Sequence, residues 1–296
     1  MKNIRNFDLH MHTNYSLDGV HPVHDVLDAC SEAKITTVSI TDHDSCDCFE
    51  DIDINKTKFR GKIIYGMEAD ALVGNITYDI LCYDFEIEKV REWAHNQYGT
   101  VDFRQTKIFD KLALLCEQLN LKIDDSIPYD GKVEYAHAAL FRMAYNVPET
   151  KTYLEKLNVF TVTDLYRQST TNVEFPLYID MHIVWPNIKD VAKIIRENGG
   201  KIFLAHPFKY GENKDVGKTL DSCLPYVDGI EICNESTFEQ VQYLYQYAKE
   251  NNLLVSAGND YHGSSKHSEV GVSNITDEMA EDINMWLDKC ANYIEL

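Results

Sequence analysis

The chain is short of positive charge: 28 Lys and Arg stand against 48 Asp and Glu, a formal net charge of −20 over 296 residues. A general grip on long nucleic acid needs clustered basic side chains, so the acidic balance argues against that class. A small phosphorylated substrate is not excluded, because bound metal ions reverse the local sign. Long apolar runs are missing as well. No window reaches the ~20 apolar residues of a membrane-spanning helix, and Met1–Asp8 has no run of the signal-peptide type. The eight cysteines, Cys30, Cys46, Cys48, Cys82, Cys116, Cys223, Cys233 and Cys290, contain no CxxC pair, which argues against a zinc ribbon or a thioredoxin-like site. Their scatter points to reduced, buried thiols and a cytoplasmic location. There is no internal repeat, low-complexity tract or long Gly/Ser linker.

What is present is ordinary globular material, 44% apolar and 26% charged, enough for a sizeable core. Short β-rich runs alternate with helical patterns. Phe7–His12, Thr36–Thr41, Lys62–Glu68 and Ile76–Cys82 read as strands, as do Lys201–Ala205, Gly229–Cys233 and Leu253–Ala257. Helices are expected over Pro22–Ala33, Asn187–Asn198, Phe238–Asn251 and Asp277–Cys290. Pro22 suits a first helical turn, Gly199-Gly200 is a stop signal, and Ile188, Val191, Ala192, Ile194 and Ile195 form an amphipathic stripe. This alternation predicts an α/β fold with a parallel sheet closed into a barrel. From Ile87 to Val184 the pattern is mainly helical and reads as an insertion that caps a site and supplies much of its pocket. The expected domains are therefore a barrel from 1–86 and 185–296 and a helical cap subdomain from 87–184.

The informative feature is where the histidines and acids fall. His10 and His12 end the first strand, and side chains two apart on a strand face the same way. His43, between Asp42 and Asp44, follows Val38-Ser39-Ile40. Glu68 closes Ile63–Met67, His206 follows Ile202–Ala205, Glu231 lies in Gly229–Ile232, and Asp260 and His262 follow Val255–Gly258. In parallel barrels, catalytic groups gather at the carboxyl ends of strands. One apolar strand ending in His, Asp or Glu is a chance event; five, two of them with same-face pairs, point to a metal centre.

At this point the chain resembles a known family. His10-Met11-His12, Ser16-Leu17-Asp18-Gly19 and Thr41-Asp42-His43 look like the opening of PHP (polymerase and histidinol phosphatase) domains. Gly66-Met67-Glu68, Ala205-His206-Pro207 and Gly258-Asn259-Asp260-Tyr261-His262-Gly263 are similar to its later motifs, in the same order. The resemblance implies a distorted seven-stranded (β/α) barrel, TIM-like, that holds up to three divalent metals and hydrolyses phosphate esters. It places His10, His12, Glu68 and Asp260 around a first metal and Asp18, His43 and His262 around a second. Glu68 would bridge to a third, completed by His206 and a histidine from the insertion. His137 is chosen for that role, ahead of His95 and His182. Glu68, Asp260 and His262 carry the catalytic assignment.

Six imidazoles and three carboxylates suit manganese, zinc or iron better than calcium or magnesium. Multi-metal sites of this kind lower the pKa of bound water and hold phosphoryl oxygens, so no protein nucleophile is needed. Asp42 and Asp44 are candidate acceptors for imidazole N–H groups. Lys209, Arg142 and His267 are the candidate phosphate contacts. His21 and His24 read as surface residues, and Cys46 and Cys48 as buried thiols.

The expected function is a metal-dependent phosphoesterase acting on a small phosphorylated metabolite, a nucleotide among the candidates, with no membrane and no long nucleic-acid partner. The rivals are a histidinol-phosphate phosphatase, an amidohydrolase acting at carbon and a non-catalytic metal-binding module. A carboxylated lysine would mark the amidohydrolase class, and an incomplete ligand set the non-catalytic one.

Overall fold

A computed structural model describes residues 4–210, 215–233, 236–263 and 269–296. Its strands are β1 (Phe7–Asp8), β2 (Thr37–Ile40), β3 (Lys62–Val73), β4 (Ile76–Tyr83), β5 (Lys201–Leu204), β6 (Gly229–Cys233), β7 (Leu254–Ala257) and β8 (Tyr293–Glu295). Its α-helices are α1 (Val23–Glu32), α2 (Ile87–Tyr98), α3 (Val101–Gln118), α4 (Ala136–Tyr145), α5 (Pro148–Lys156), α6 (Val162–Thr171), α7 (Ile188–Glu197), α8 (Val216–Cys223), α9 (Phe238–Glu250) and α10 (Asp277–Leu287). The chain forms two compact units. One runs to Ala71 and resumes over Tyr78–Ala94 and from Ile188 onward; the other comprises Leu72–Thr77 and His95–Asn187. The units divide at 94/95 and 187/188, eight and three residues C-terminal of the sequence boundaries 86/87 and 184/185, and the β3–β4 tip belongs with the helical unit.

In the first unit, β1 to β7 follow one another around the sheet in chain order. β1, β2 and β3 are parallel, as are β5, β6 and β7, while β4 runs antiparallel to β5. The expectation of a wholly parallel barrel is corrected here. Only Gly74 and Asn75 separate β3 from β4, with Gly74 at φ +62°, and a connection of two residues permits a hairpin but no crossover. The ring is drawn together by Leu9 N–H donating to Ala257 O at 3.2 Å and His12 N–H to Tyr261 O at 2.7 Å. β1 stops short of the expected His12, although Thr41 N–H still donates to Met11 O at 2.8 Å. The C-terminal strand β8, not anticipated, pairs antiparallel with β3.

Helices lie where the apolar period puts them. α7 buries Ile188, Val191, Ala192 and Ile195, the Ile and Val side chains contributing about 1.5–3 kcal/mol each, and Gly199 at φ +85° ends the segment. α9 and α10 begin at Thr237 and Thr276, whose hydroxyls accept the backbone N–H groups of Gln240 and Met279. Tyr83, Phe203 and Trp286 pack with ring centroids 5.3–5.7 Å apart. Trp286 Nε1 donates to Val255 O at 2.9 Å and the Tyr83 hydroxyl to Leu9 O at 2.8 Å, so this cluster braces β1 and β7 together. In the second unit, α4 packs against α3, α5 and α6, and α6 opens with a reciprocal Thr161–Asp164 cap. All eight cysteines are free and buried, as their scatter suggested.

Where β7 passes His10, only hydrogen fits. A Cβ on Gly258 would lie 2.3 Å from His10 Cβ and 2.4 Å from its backbone nitrogen. Gly258→Ala is expected to lower stability by about 2–3 kcal/mol through forced separation of the two segments, read as a shift in the urea unfolding midpoint at unchanged m-value.

Candidate metal centre

His10 and His12 leave β1 with their side chains on one side, while the residues between and before them, Met11 and Leu9, are wholly buried on the other. Met11 Sδ reaches Cys30 Sγ of α1 at 3.9 Å. The spacing read from the sequence is therefore realised: both imidazoles present Nε2 to Glu68 Oε2, each at 3.0 Å. Asp260 Oδ1 stands 3.1 Å from His10 Nε2 and 3.3 Å from His12 Nε2. These four buried residues form the first group.

His12 also joins a second group with Asp18, His43 and His262. Asp18 Oδ2 lies 3.9 Å from His43 Nε2 and 3.5 Å from His262 Nε2. Asp18 is carried by a tight loop in which Gly19 crosses Thr13, where a Cβ would meet Thr13 O at 1.9 Å. Asp42 fastens that loop, accepting from Thr13 N, Thr13 Oγ1 and Ser16 Oγ at 2.7–2.9 Å. Because Ser16 gives its only hydroxyl proton to Asp42, its oxygen accepts from the His43 backbone N–H at 2.9 Å and from His12 Nδ1 at 3.1 Å. His12 is thereby fixed with Nε2 free for a metal. Asp42 thus acts on an imidazole through a serine, whereas Asp44 accepts the backbone N–H of Asp70 at 2.8 Å.

The third group is Glu68, Asp79 and His206. His206 Nε2 lies 3.1 Å from Glu68 Oε1 and 3.5 Å from Asp79 Oδ2. Asp79, on β4, was missed in the sequence. Its signal was a lone acid inside the apolar run Tyr78-Asp79-Ile80-Leu81-Cys82. The residue assigned to this place, His137, sits in the second unit at the start of α4. It is buried, hydrogen-bonded to Ser169 Oγ at 2.9 Å, and its pKa is pulled down to about 4 by burial. His95 and His182, the other two candidates from the insertion, are exposed.

The electrostatics are dominated by buried carboxylates. Burial alone would hold His10 down, but Glu68, Glu231 and Asp260 push it well above the usual imidazole range. His12, His43 and His262 rise against the same burial for the same reason. Glu68 and Asp260 stay well below ordinary carboxylates despite burial, chiefly through His10. A divalent cation held by these residues would supply the charge the acids demand in place of the imidazolium protons. The spacing fits one. Two donor atoms each ~2.1 Å from an ion lie about 3.0–3.4 Å apart, between octahedral and tetrahedral angles, and the His–carboxylate contacts of the first and third groups span 3.0–3.5 Å.

Of the candidate phosphate contacts, Lys209 lies at the centre: its Nζ is 2.5 Å from Asp260 Oδ2, with the side chain 41% exposed. Arg142 belongs to the second unit and pairs with Glu134 at 2.6 Å. His267 lies outside the described residues.

Comparison with known proteins places the chain in a family. The PHP domain family model matches residues 8–201. The 5′-3′ exoribonuclease Rnm of Salmonella typhimurium is 23% identical over 271 residues, covering 90% of this chain and 88% of that one. The protein of the same name from Escherichia coli is 23% identical over 273 residues, with coverages of 90% and 88%. Among solved structures, an amidohydrolase from Chromobacterium violaceum superposes with a TM-score of 0.67 at 16% identity, covering 98% of both chains. A protein from Bifidobacterium adolescentis assigned as a metal-dependent phosphoesterase gives 0.60 at 18%, covering 97% and 96%. The chain belongs to the PHP domain family. Its class is that of metal-dependent phosphoester hydrolases.

Glu68 joins the first and third groups and lies 3.7 Å from His43 of the second. Glu68→Gln keeps the size and removes the charge. It is expected to lose at least two ions and turnover while retaining its far-ultraviolet circular dichroism, with metal content read by mass spectrometry; full occupancy would reassign the bridge. Asp79→Ala is expected to lose a single ion. Loss of one ion from His137→Ala instead would return the third site to the insertion.

Proposed function

We propose that this protein uses two or three divalent ions, manganese, zinc or iron, to hydrolyse a phosphate ester of a nucleotide or very short oligonucleotide. The observation that carries the reading is the sharing of ligands: Glu68 belongs to two groups and His12 to two, so neighbouring cations would share one pocket. Cations so grouped acidify a water molecule, bind phosphoryl oxygens and stabilise the leaving oxygen. The protein's own part is to fix the donors and exclude alternatives. Asp42 and Ser16 hold His12 in one tautomer. His262 Nδ1 donates to the Asp260 carbonyl at 2.7 Å and so presents Nε2 to Asp18.

Lys209 supplies the remaining cation. Burial works against its charge, yet Asp260 raises its pKa, so it enters the site as an ammonium able to meet a phosphoryl oxygen. The nucleotide assignment is supported by the curated relatives, which are exoribonucleases. The net charge of −20 favours a short substrate over a long strand.

A panel of nucleoside monophosphates, 5′-phosphorylated oligoribonucleotides of graded length, sugar phosphates and histidinol phosphate tests this with manganese-loaded protein. Nucleotides and oligomers of a few residues are expected to lead in kcat/KM. A clear preference for histidinol phosphate overturns the assignment, and undiminished turnover of long RNA overturns the size limit. Lys209→Ala is expected to raise KM about 10-fold or more, the loss of one charge-assisted hydrogen bond.

A further inference from the structure

Glu231 is an acid in the middle of a strand that the ligand groups do not use. It lies on β6, where every residue is buried, and is itself 1% exposed. Both carboxylate oxygens are engaged. Oε1 is 2.9 Å from His10 Nδ1, and Oε2 accepts the backbone N–H of His206 at 2.8 Å. His10 belongs to the first ligand group and His206 to the third. One side chain therefore holds a ligand of each.

The two contacts do different work. A carboxylate at His10 Nδ1 requires a proton there, which leaves Nε2, the atom facing Glu68 and Asp260, with its lone pair toward an ion. At His206 the backbone has φ +28° and ψ +63°, a conformation disfavoured for a residue with a Cβ. Such a conformation persists where its surroundings over-determine it. The Glu231 hydrogen bond to that N–H is such a restraint, and it directs the His206 side chain toward Glu68 and Asp79.

We infer that Glu231 is a positioning residue that couples the first and third metal sites, setting the tautomer of His10 and the backbone of His206 together. The inference rests on the metal-centre reading given above. Glutamine cannot replace it. An amide has one oxygen, so it satisfies either His10 Nδ1–H or His206 N–H, and its NH2 group opposes the other donor. If the NH2 faces His10, Nδ1 becomes the acceptor and the proton moves to Nε2, where it blocks ligation.

The test is manganese and zinc titration of Glu231→Gln by calorimetry, with metal content and metal-free thermal unfolding measured alongside. The wild type is expected to bind two or three ions. The variant is expected to lose 10–100-fold in affinity at two of them, the usual cost of removing a ligand's outer partner, while an ion at Asp18, His43 and His262 is kept. A purely structural glutamate would lower the unfolding temperature and leave affinities unchanged, which overturns the inference. Loss at one ion alone overturns the coupling. A wild type that binds no ion would instead refute the metal-centre reading itself. Should the variant not fold, nitrogen-15 spectra of the zinc-loaded wild type decide: a proton on His10 Nδ1 supports the inference and an unprotonated Nδ1 overturns it.

Discussion

Imidazoles held against buried carboxylates are the constraint from which the rest of this structure follows. Glu68, Asp260 and Glu231 are almost wholly removed from water, where an unpaired acid costs several kcal/mol. His10 faces all three of them. The protein meets that cost by bringing positive or polarisable groups from widely separated stretches of chain to one end of the barrel. Divalent cations complete the balance more fully than protons do, because one ion satisfies several oxygens at once. That demand explains why a chain so acidic overall concentrates histidines here.

The barrel supplies what the centre requires in rigidity. Tyr83, Phe203 and Trp286 brace the strands that carry His10 and the Asp260–His262 loop. Two of the positive-φ residues, His206 and Asp260, belong to the ligand groups. Strain of about 1–3 kcal/mol at such positions is kept only where many contacts fix it, and here the contacts are those of Glu231, Lys209 and the neighbouring ligands. Hydrogen bonds around the imidazoles matter as much as the ligands themselves. Asp42 governs His12 through Ser16, and Glu231 governs His10 directly.

The sequence by itself marked the histidines and acids in and just after its apolar strands as candidate ligands. His10, His12, Asp18, His43, Glu68, His206, Asp260 and His262 all lie in the groups that the family resemblance implies for them, and period-two alternation accounts for His10 and His12 facing the same way. Helix positions followed from apolar spacing and end signals in the same local way, as α7 and Gly199 show. What only the tertiary structure decided depends on contacts distant in sequence. Asp79 lies within a strand, as Glu68 does, but becomes a candidate ligand only because the β3–β4 hairpin reverses β4 and sets it beside His206. The serine between Asp42 and His12, and the double grip of Glu231 on His10 and His206 across 221 and 25 residues of chain, leave no periodic trace. Hydrogen-bond direction is set by the three-dimensional neighbours of each proton, and no spacing along the chain encodes them.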